Sequence, residues 1–172
     1  MDIFLIFLLT LLNGVFAMSE MALASCRKPR LVALEEEGDT GARAALRLLS
    51  QPTQFLSTVQ IGITSIGVLN GIVGEAAFSL NLSRWLTAQG VADGLAEGLA
   101  TACVVTLITL STILFGELVP KRIGQLYPES VARFTAPFML ALATMAKPVV
   151  FFLSSSTSVI LKWLKIDTRS LR

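Results

Sequence analysis

The sequence contains no histidine, and charged residues make up only 15% of it. The first absence removes imidazole acid–base chemistry, histidine-based triads and histidine metal sites. The second falls well below the roughly 25% of soluble domains and excludes an ordinary soluble enzyme or a disordered segment. Cysteine is limited to Cys26 and Cys103, which sit in or beside apolar stretches without metal-ligand spacing and read as small packed residues. The net charge of +2 is too small to suggest a nucleic-acid partner. What the chain has in quantity is apolar surface, 53% of its 172 residues, and that balance is a membrane protein's.

A spanning helix needs about 20 mostly apolar residues, so stretches without charge locate the candidates. Residues 3–19 form the first. A basic region ahead of it is missing, since Asp2 opens the chain and the first cations are Arg27, Lys28 and Arg30, so it reads as a mature span rather than a signal peptide. The second stretch, 48–74, contains Gln51-Pro52, which marks a helix start with proline in its first turn. The third, 98–116, ends against Glu117 and the pair Lys121-Arg122. A fourth, 134–161, is interrupted at Lys147-Pro148 into two pieces, each too short to span. Spans are therefore expected at about 3–25, 53–83 and 98–121.

Loops retained in the cytoplasm are enriched in lysine and arginine. With the N-terminus outside, the first span delivers Arg27, Lys28, Arg30, Arg43 and Arg47 to the cytoplasm, and the third delivers Lys121, Arg122 and Arg133. Arg84 alone is left outside, and the tail cations Lys162, Lys165, Arg169 and Arg172 belong inside. A fourth full crossing would expel that tail, so three spans are expected, with residues 128–165 as a broken, interfacial or re-entrant juxtamembrane segment. Residues 27–49 read as a cytoplasmic pair of surface helices around the turn Glu35-Glu36-Glu37-Gly38-Asp39. The fold class is thus an all-α membrane protein in a multi-pass cell-membrane topology. The chain stops at Arg172 without a structural stop signal and is expected to be part of a longer one.

Polar groups inside the spans carry the functional content. The second span places Gln60, Thr64, Gly67, Gly71 and Gly74 on one stripe, with Asn70 beside it. The Gly67-x-x-x-Gly71 spacing suits helix packing or dimerisation, but packing alone does not call for an amide at Asn70. The first span carries Asn13, Ala17, Glu20 and Ala24 on a comparable stripe, with Ser19 adjacent, and the third offers Thr109, Thr112 and Gly116 leading to Glu117. Glutamate in a membrane segment is costly and is a functional candidate by default, which singles out Glu20, Glu75 and Glu117. Beside Glu117, Pro120 cannot donate to the carbonyl of Gly116, so a backbone oxygen is freed next to a carboxylate. Carboxylate, carbonyl, hydroxyl and amide are hard donors suited to magnesium. Lys121 lies one turn on and pairs with Glu117 either as a stand-in when no cation is bound or simply to end the helix.

The segment FGELVPKRIGQLYPE (residues 115–129) resembles a signature of the CNNM/CorC transporter family. LLNGVFAMSEMALASCRKPRLVALEEEG (11–38) and FLSTVQIGITSIGVLNG (55–71) resemble the same family, so the likeness covers nearly the whole chain. It implies a homodimeric transmembrane domain of three spans with a belt of juxtamembrane helices, followed in the full-length chain by cytoplasmic CBS domains, which are absent from these 172 residues. It also implies magnesium efflux coupled to sodium, with the cation held between the spans. The family's Gly-Glu-x-x-Pro motif falls on Gly116, Glu117 and Pro120, and Ser19, with Glu20 beside it, stands for the small polar residue of the first span. Where many members have a second-span asparagine this chain has Gly67, and Asn70 or Thr64 is expected to supply the missing oxygen.

The leading functional expectation is therefore a cation-transporter domain. The alternative is a non-transporting membrane anchor and dimerisation module that regulates a partner, its glycine face packing helices and its basic belt binding anionic lipid. A secreted pore-forming toxin is disfavoured by three strongly apolar spans. An enzyme is disfavoured because no nucleophile and base pair is visible.

Overall fold

In the computed structural model the described residues, 1–166, form seven α-helices and one π-helical turn, with no strand among them. Arg169 and Arg172, two of the tail cations assigned to the cytoplasm from sequence, lie outside the described residues. The helices are α1 (Asp2–Ser25), α2 (Lys28–Glu36), α3 (Thr40–Ser50), α4 (Pro52–Ala88), α5 (Asp93–Ile113), α6 (Val119–Leu126) and α7 (Pro128–Trp163). A π-helical turn, Leu114–Leu118, joins α5 to α6 without a break in the rod.

Local chemistry sets the boundaries. Pro52 and Pro128 occupy the first turns of α4 and α7, where the missing N–H would have had no helical partner. Asp39 caps α3, its Oδ1 accepting from the Ala42 N–H at 2.8 Å. Gly38 and Gly90 take positive φ, 94° and 96°, in the α2–α3 and α4–α5 connections, the conformation that only glycine adopts without cost.

Packing is concentrated at one end. Leu31 of α2, Ala42, Ala45 and Leu48 of α3, Phe55 and Val59 of α4, and Ala132, Ala136 and Met139 of α7 form a buried cluster with Phe16 and Leu23 of α1. Away from it, large apolar side chains such as Phe4, Phe7, Leu69, Leu107 and Phe152 stand exposed, which is the surface a bilayer rather than water would cover.

Two sequence expectations are corrected. Four helices, not three, are long and apolar enough to cross a membrane: α1, α4, the continuous rod 93–126, and α7. And the fourth apolar region is not broken at Lys147-Pro148, because α7 runs unbroken for 36 residues through Pro137 and Pro148. Proline removes one backbone bond, but apolar helices tolerate it where neighbouring elements meet the freed carbonyl. Pro148 frees the carbonyl of Thr144, a residue that lines an open cleft facing Gln51 and Gln54, and Pro137 frees that of Arg133, against which α3 presses so closely that a Cβ on Gly41 would lie 2.3 Å from its oxygen. The Arg133 guanidinium in turn bonds Asp39, its Nε donating to Oδ2 at 2.6 Å with Nη2 on the same oxygen. The Ala42 N–H and the Arg133 guanidinium hold the Asp39 carboxyl below its usual range.

Candidate functional site

The α1–α6 crossing is made of small residues. Gly116, Pro120 and Gly124 follow one another at intervals of four along the third rod, and all three are buried. A Cβ on Gly124 would lie 2.7 Å from the Met18 carbonyl oxygen, and one on Gly14 of α1 would lie 3.1 Å from the Pro120 ring. This close approach brings two polar side chains of α1, Thr10 and Asn13, against the stretch that carries the Gly-Glu-x-x-Pro motif.

Asn13 is 1% exposed and donates from Nδ2 to the Gly116 carbonyl oxygen at 2.9 Å. A carbonyl only accepts, so this bond fixes which way the amide points. Asn70 of α4, also 1% exposed, donates to the Thr10 hydroxyl at 3.1 Å and to the Thr112 hydroxyl at 3.3 Å. Three helices therefore meet through amides and hydroxyls within adjoining turns. The remaining oxygens, Asn13 Oδ1 and Asn70 Oδ1, are buried without a hydrogen-bond partner.

The π-helical turn places Gly116 and Glu117 here. Such single turns interrupt the α-helical bonding ladder and are frequent at functional positions. Here Pro120 cannot bond the Gly116 carbonyl, and the Asn13 amide takes that role from another helix. Glu117 is half-buried in the turn, and Pro120 is buried behind it.

The other expected site residues are placed as follows. Ser19 is fully buried but donates to the Val15 carbonyl of its own helix at 2.7 Å, and Glu20 beside it is half-buried. Thr64 is exposed on the outer side of α4, bonded by Gln60 at 3.1 Å, so of the two residues expected to replace the family asparagine only Asn70 reaches the junction. Gly67 and Gly71 have nothing within 4 Å of a Cβ built on them, whereas Gly74 packs on Ile108. Among the described residues no ion pair joins Glu117 to Lys121, and no hydrogen bond links Ser19, Glu20 or Glu117 to the amide cluster. The partners that complete the cluster are Asn13, which the sequence placed on a polar stripe without a role in the site, and Thr10, which it did not single out. Asn13 carried a legible signal, as the one amide side chain in α1.

Residues 3–171 match the family described as the cyclin M transmembrane N-terminal domain. The chain belongs to that family. It is 41% identical over 98% of its length to a UPF0053 protein of Synechocystis, of which it covers 38%. It is 37% identical over 96% of its length to a polyamine export protein of Salmonella typhimurium, and 36% identical over the same share to the Escherichia coli protein of that name, covering 37% of each. The chain thus spans less than two fifths of these cyclin M relatives. Family membership and four apolar helices together make it a multi-span membrane domain.

Proposed function

We propose that this domain binds and moves magnesium across the membrane, outward and coupled to sodium, at the junction of α1, α4 and the π-helical turn. The observation that carries the reading is the pair of buried amide oxygens without a donor, Asn13 Oδ1 and Asn70 Oδ1, beside the turn that holds Gly116 and Glu117. Each such oxygen left unsatisfied costs about 1–3 kcal/mol, so a fold that keeps two at one place favours a ligand that supplies positive charge. Magnesium takes hard oxygen ligands and retains several waters, so Glu117, the Gly116 carbonyl and the Asn70 oxygen with water suffice, and Ser19 joins if its hydroxyl turns from Val15. Lys121 then tunes affinity from one turn away.

The decisive experiment titrates magnesium into the purified protein and measures efflux from loaded cells for Glu117→Gln, normalised to folded protein. That substitution keeps shape and hydrogen bonding but removes the charge, so binding and efflux are expected to be lost while the helices still assemble. Near-normal flux would refute the assignment. The names of the polyamine export relatives favour a second substrate, an organic polycation. Spermidine efflux from the same cells separates the two, because a compact oxygen cage selects magnesium and rejects a long amine.

The proposal includes a homodimer and an orientation. The uncovered Gly67–Gly71 face of α4 suits a second copy, so Gly67→Leu is expected to lower the dimer fraction by mass measurement in mild detergent. The cations from Arg27 to Arg47 and at Lys121 and Arg122 support a cytoplasmic side for those turns and an external N-terminus. A membrane-impermeant thiol reagent applied to intact cells, with cysteine placed at Asp2 or Arg43, checks this, and placed at Lys165 it reports on which side α7 ends.

A further inference from the structure

A cleft of about 760 Å³ opens between the α3–α4 junction and the middle of α7, well away from the amide cluster. Its walls are tied together by Gln54, whose Nε2 donates to the Ala143 carbonyl at 2.9 Å. Two cations line it, Arg47 from α3 and Lys147 from α7, and no acidic side chain does. Neither cation has an ion-pair partner among the described residues. A lysine in the middle of an apolar helix is costly unless it meets an anion or reaches the interface.

The cleft offers further donors. No side chain caps the first turn of α4, so the Thr53 and Gln54 N–H groups lack helical partners. Those residues line a continuation of the cleft that again includes Lys147. Two unpaired cations, the positive end of α4 and N–H groups without helical partners thus border one cleft, the donor set that an anion takes. Its far wall is Phe151, and exposed apolar residues Val149 and Phe152 continue along α7 from there. A free phosphate would leave that apolar wall unused, whereas a phosphate attached to acyl chains covers it.

We propose that this cleft binds the headgroup phosphate of an anionic phospholipid, with Arg47 and Lys147 as its cationic clamps and the acyl chains lying along the second half of α7. Each cation near a lipid phosphate contributes about fivefold in affinity, so removing both is expected to cost about 25-fold.

The test measures lipid retention by native mass spectrometry on the purified protein titrated with phosphatidylglycerol or phosphatidylcholine. The wild type is expected to retain phosphatidylglycerol at least tenfold better. Arg47→Gln with Lys147→Gln is expected to abolish that preference, Lys147→Gln alone to reduce it about fivefold, Lys147→Arg to keep it, and Arg84→Gln, at the other end of α4, to leave it untouched. Lys147 is exposed, so its single variants fold whatever the double variant does. Equal retention of both lipids by the wild type would overturn the proposal, as would an unchanged preference in Lys147→Gln. Displacement of the lipid by millimolar glycerol phosphate would overturn it too, by assigning the seat to a soluble phosphate.

Discussion

An amide side chain buried in an apolar helix earns its place only through its partners, and at Asn13 and Asn70 half of each amide is without one. The two differ in freedom. Asn13 faces a carbonyl and can turn only one way, while Asn70 faces the hydroxyls of Thr10 and Thr112, which both donate and accept. The Asn70 amide can therefore exchange its nitrogen and oxygen without losing contact, and Asn13 cannot. Asn13→Leu is expected to release the Gly116 carbonyl and weaken magnesium affinity about 10–100-fold, the range for groups that position a ligand, as read by titration of the purified domain. Asn70→Asp retains the oxygens and is expected to keep binding, whereas Asn70→Leu is expected to lose it. Glu117, Gly116 and Pro120 were legible in the sequence because carboxylate, glycine and proline are unusual side by side at the end of a span. The partners of Asn13 and Thr10 were harder to see, since their bonds are made at helix crossings, Asn13 to Gly116 across 103 residues of sequence and Thr10 to Asn70 across 60.

At the scale of the element, glycines that look alike in sequence separate into two kinds. Gly124 and Gly41 meet another backbone, while Gly67 and Gly71 meet nothing in the single chain. Gly124→Ala is expected to destabilise the α1–α6 crossing by about 1–3 kcal/mol, and Gly98→Ala, at an open position inside α5, to stabilise that helix by up to about 1 kcal/mol through helix propensity alone. Thermal unfolding of the two variants in the same detergent checks the opposite signs. The first three apolar rods were legible because charge-free runs bounded by proline or paired cations leave few alternatives. The continuity of α7 was not, since a proline's effect depends on what faces the carbonyl it frees, and the wall facing the Lys147-Pro148 step comes from Gln51 to Gln54, more than ninety residues earlier. The π-helical turn had no periodic signature either, for it changes the register by a single residue.

On the scale of the molecule, Asp39 and Arg133 tie the start of α3 to the start of α7. A carboxyl held below its ordinary value of 3.8 stabilises the fold fully above that value, and the contribution is lost as pH falls through the lowered folded value. The stability difference between wild type and Asp39→Asn is thus expected to be constant above about pH 5 and to shrink below about pH 3.8, measured by melting in detergent. The extra residue held in the π-helical turn has a different kind of consequence, one for how the gene can vary. Each residue advances an α-helix by about 100°, but a π-turn takes up one residue without that rotation, so deleting one position between 114 and 118 would restore an ordinary helix, leave Pro120 and Gly124 facing α1, and alter only the turn that presents Gly116 and Glu117. A deletion between Pro120 and Gly124, where ordinary helix has no turn to take it up, would instead carry Gly124 off α1 and bring a bulkier neighbour to where the backbones touch. A change of one residue is thus taken up on one side of Pro120 and rotates every contact downstream on the other, so the spacing from Pro120 to Gly124 is under tighter constraint than the spacing across the turn.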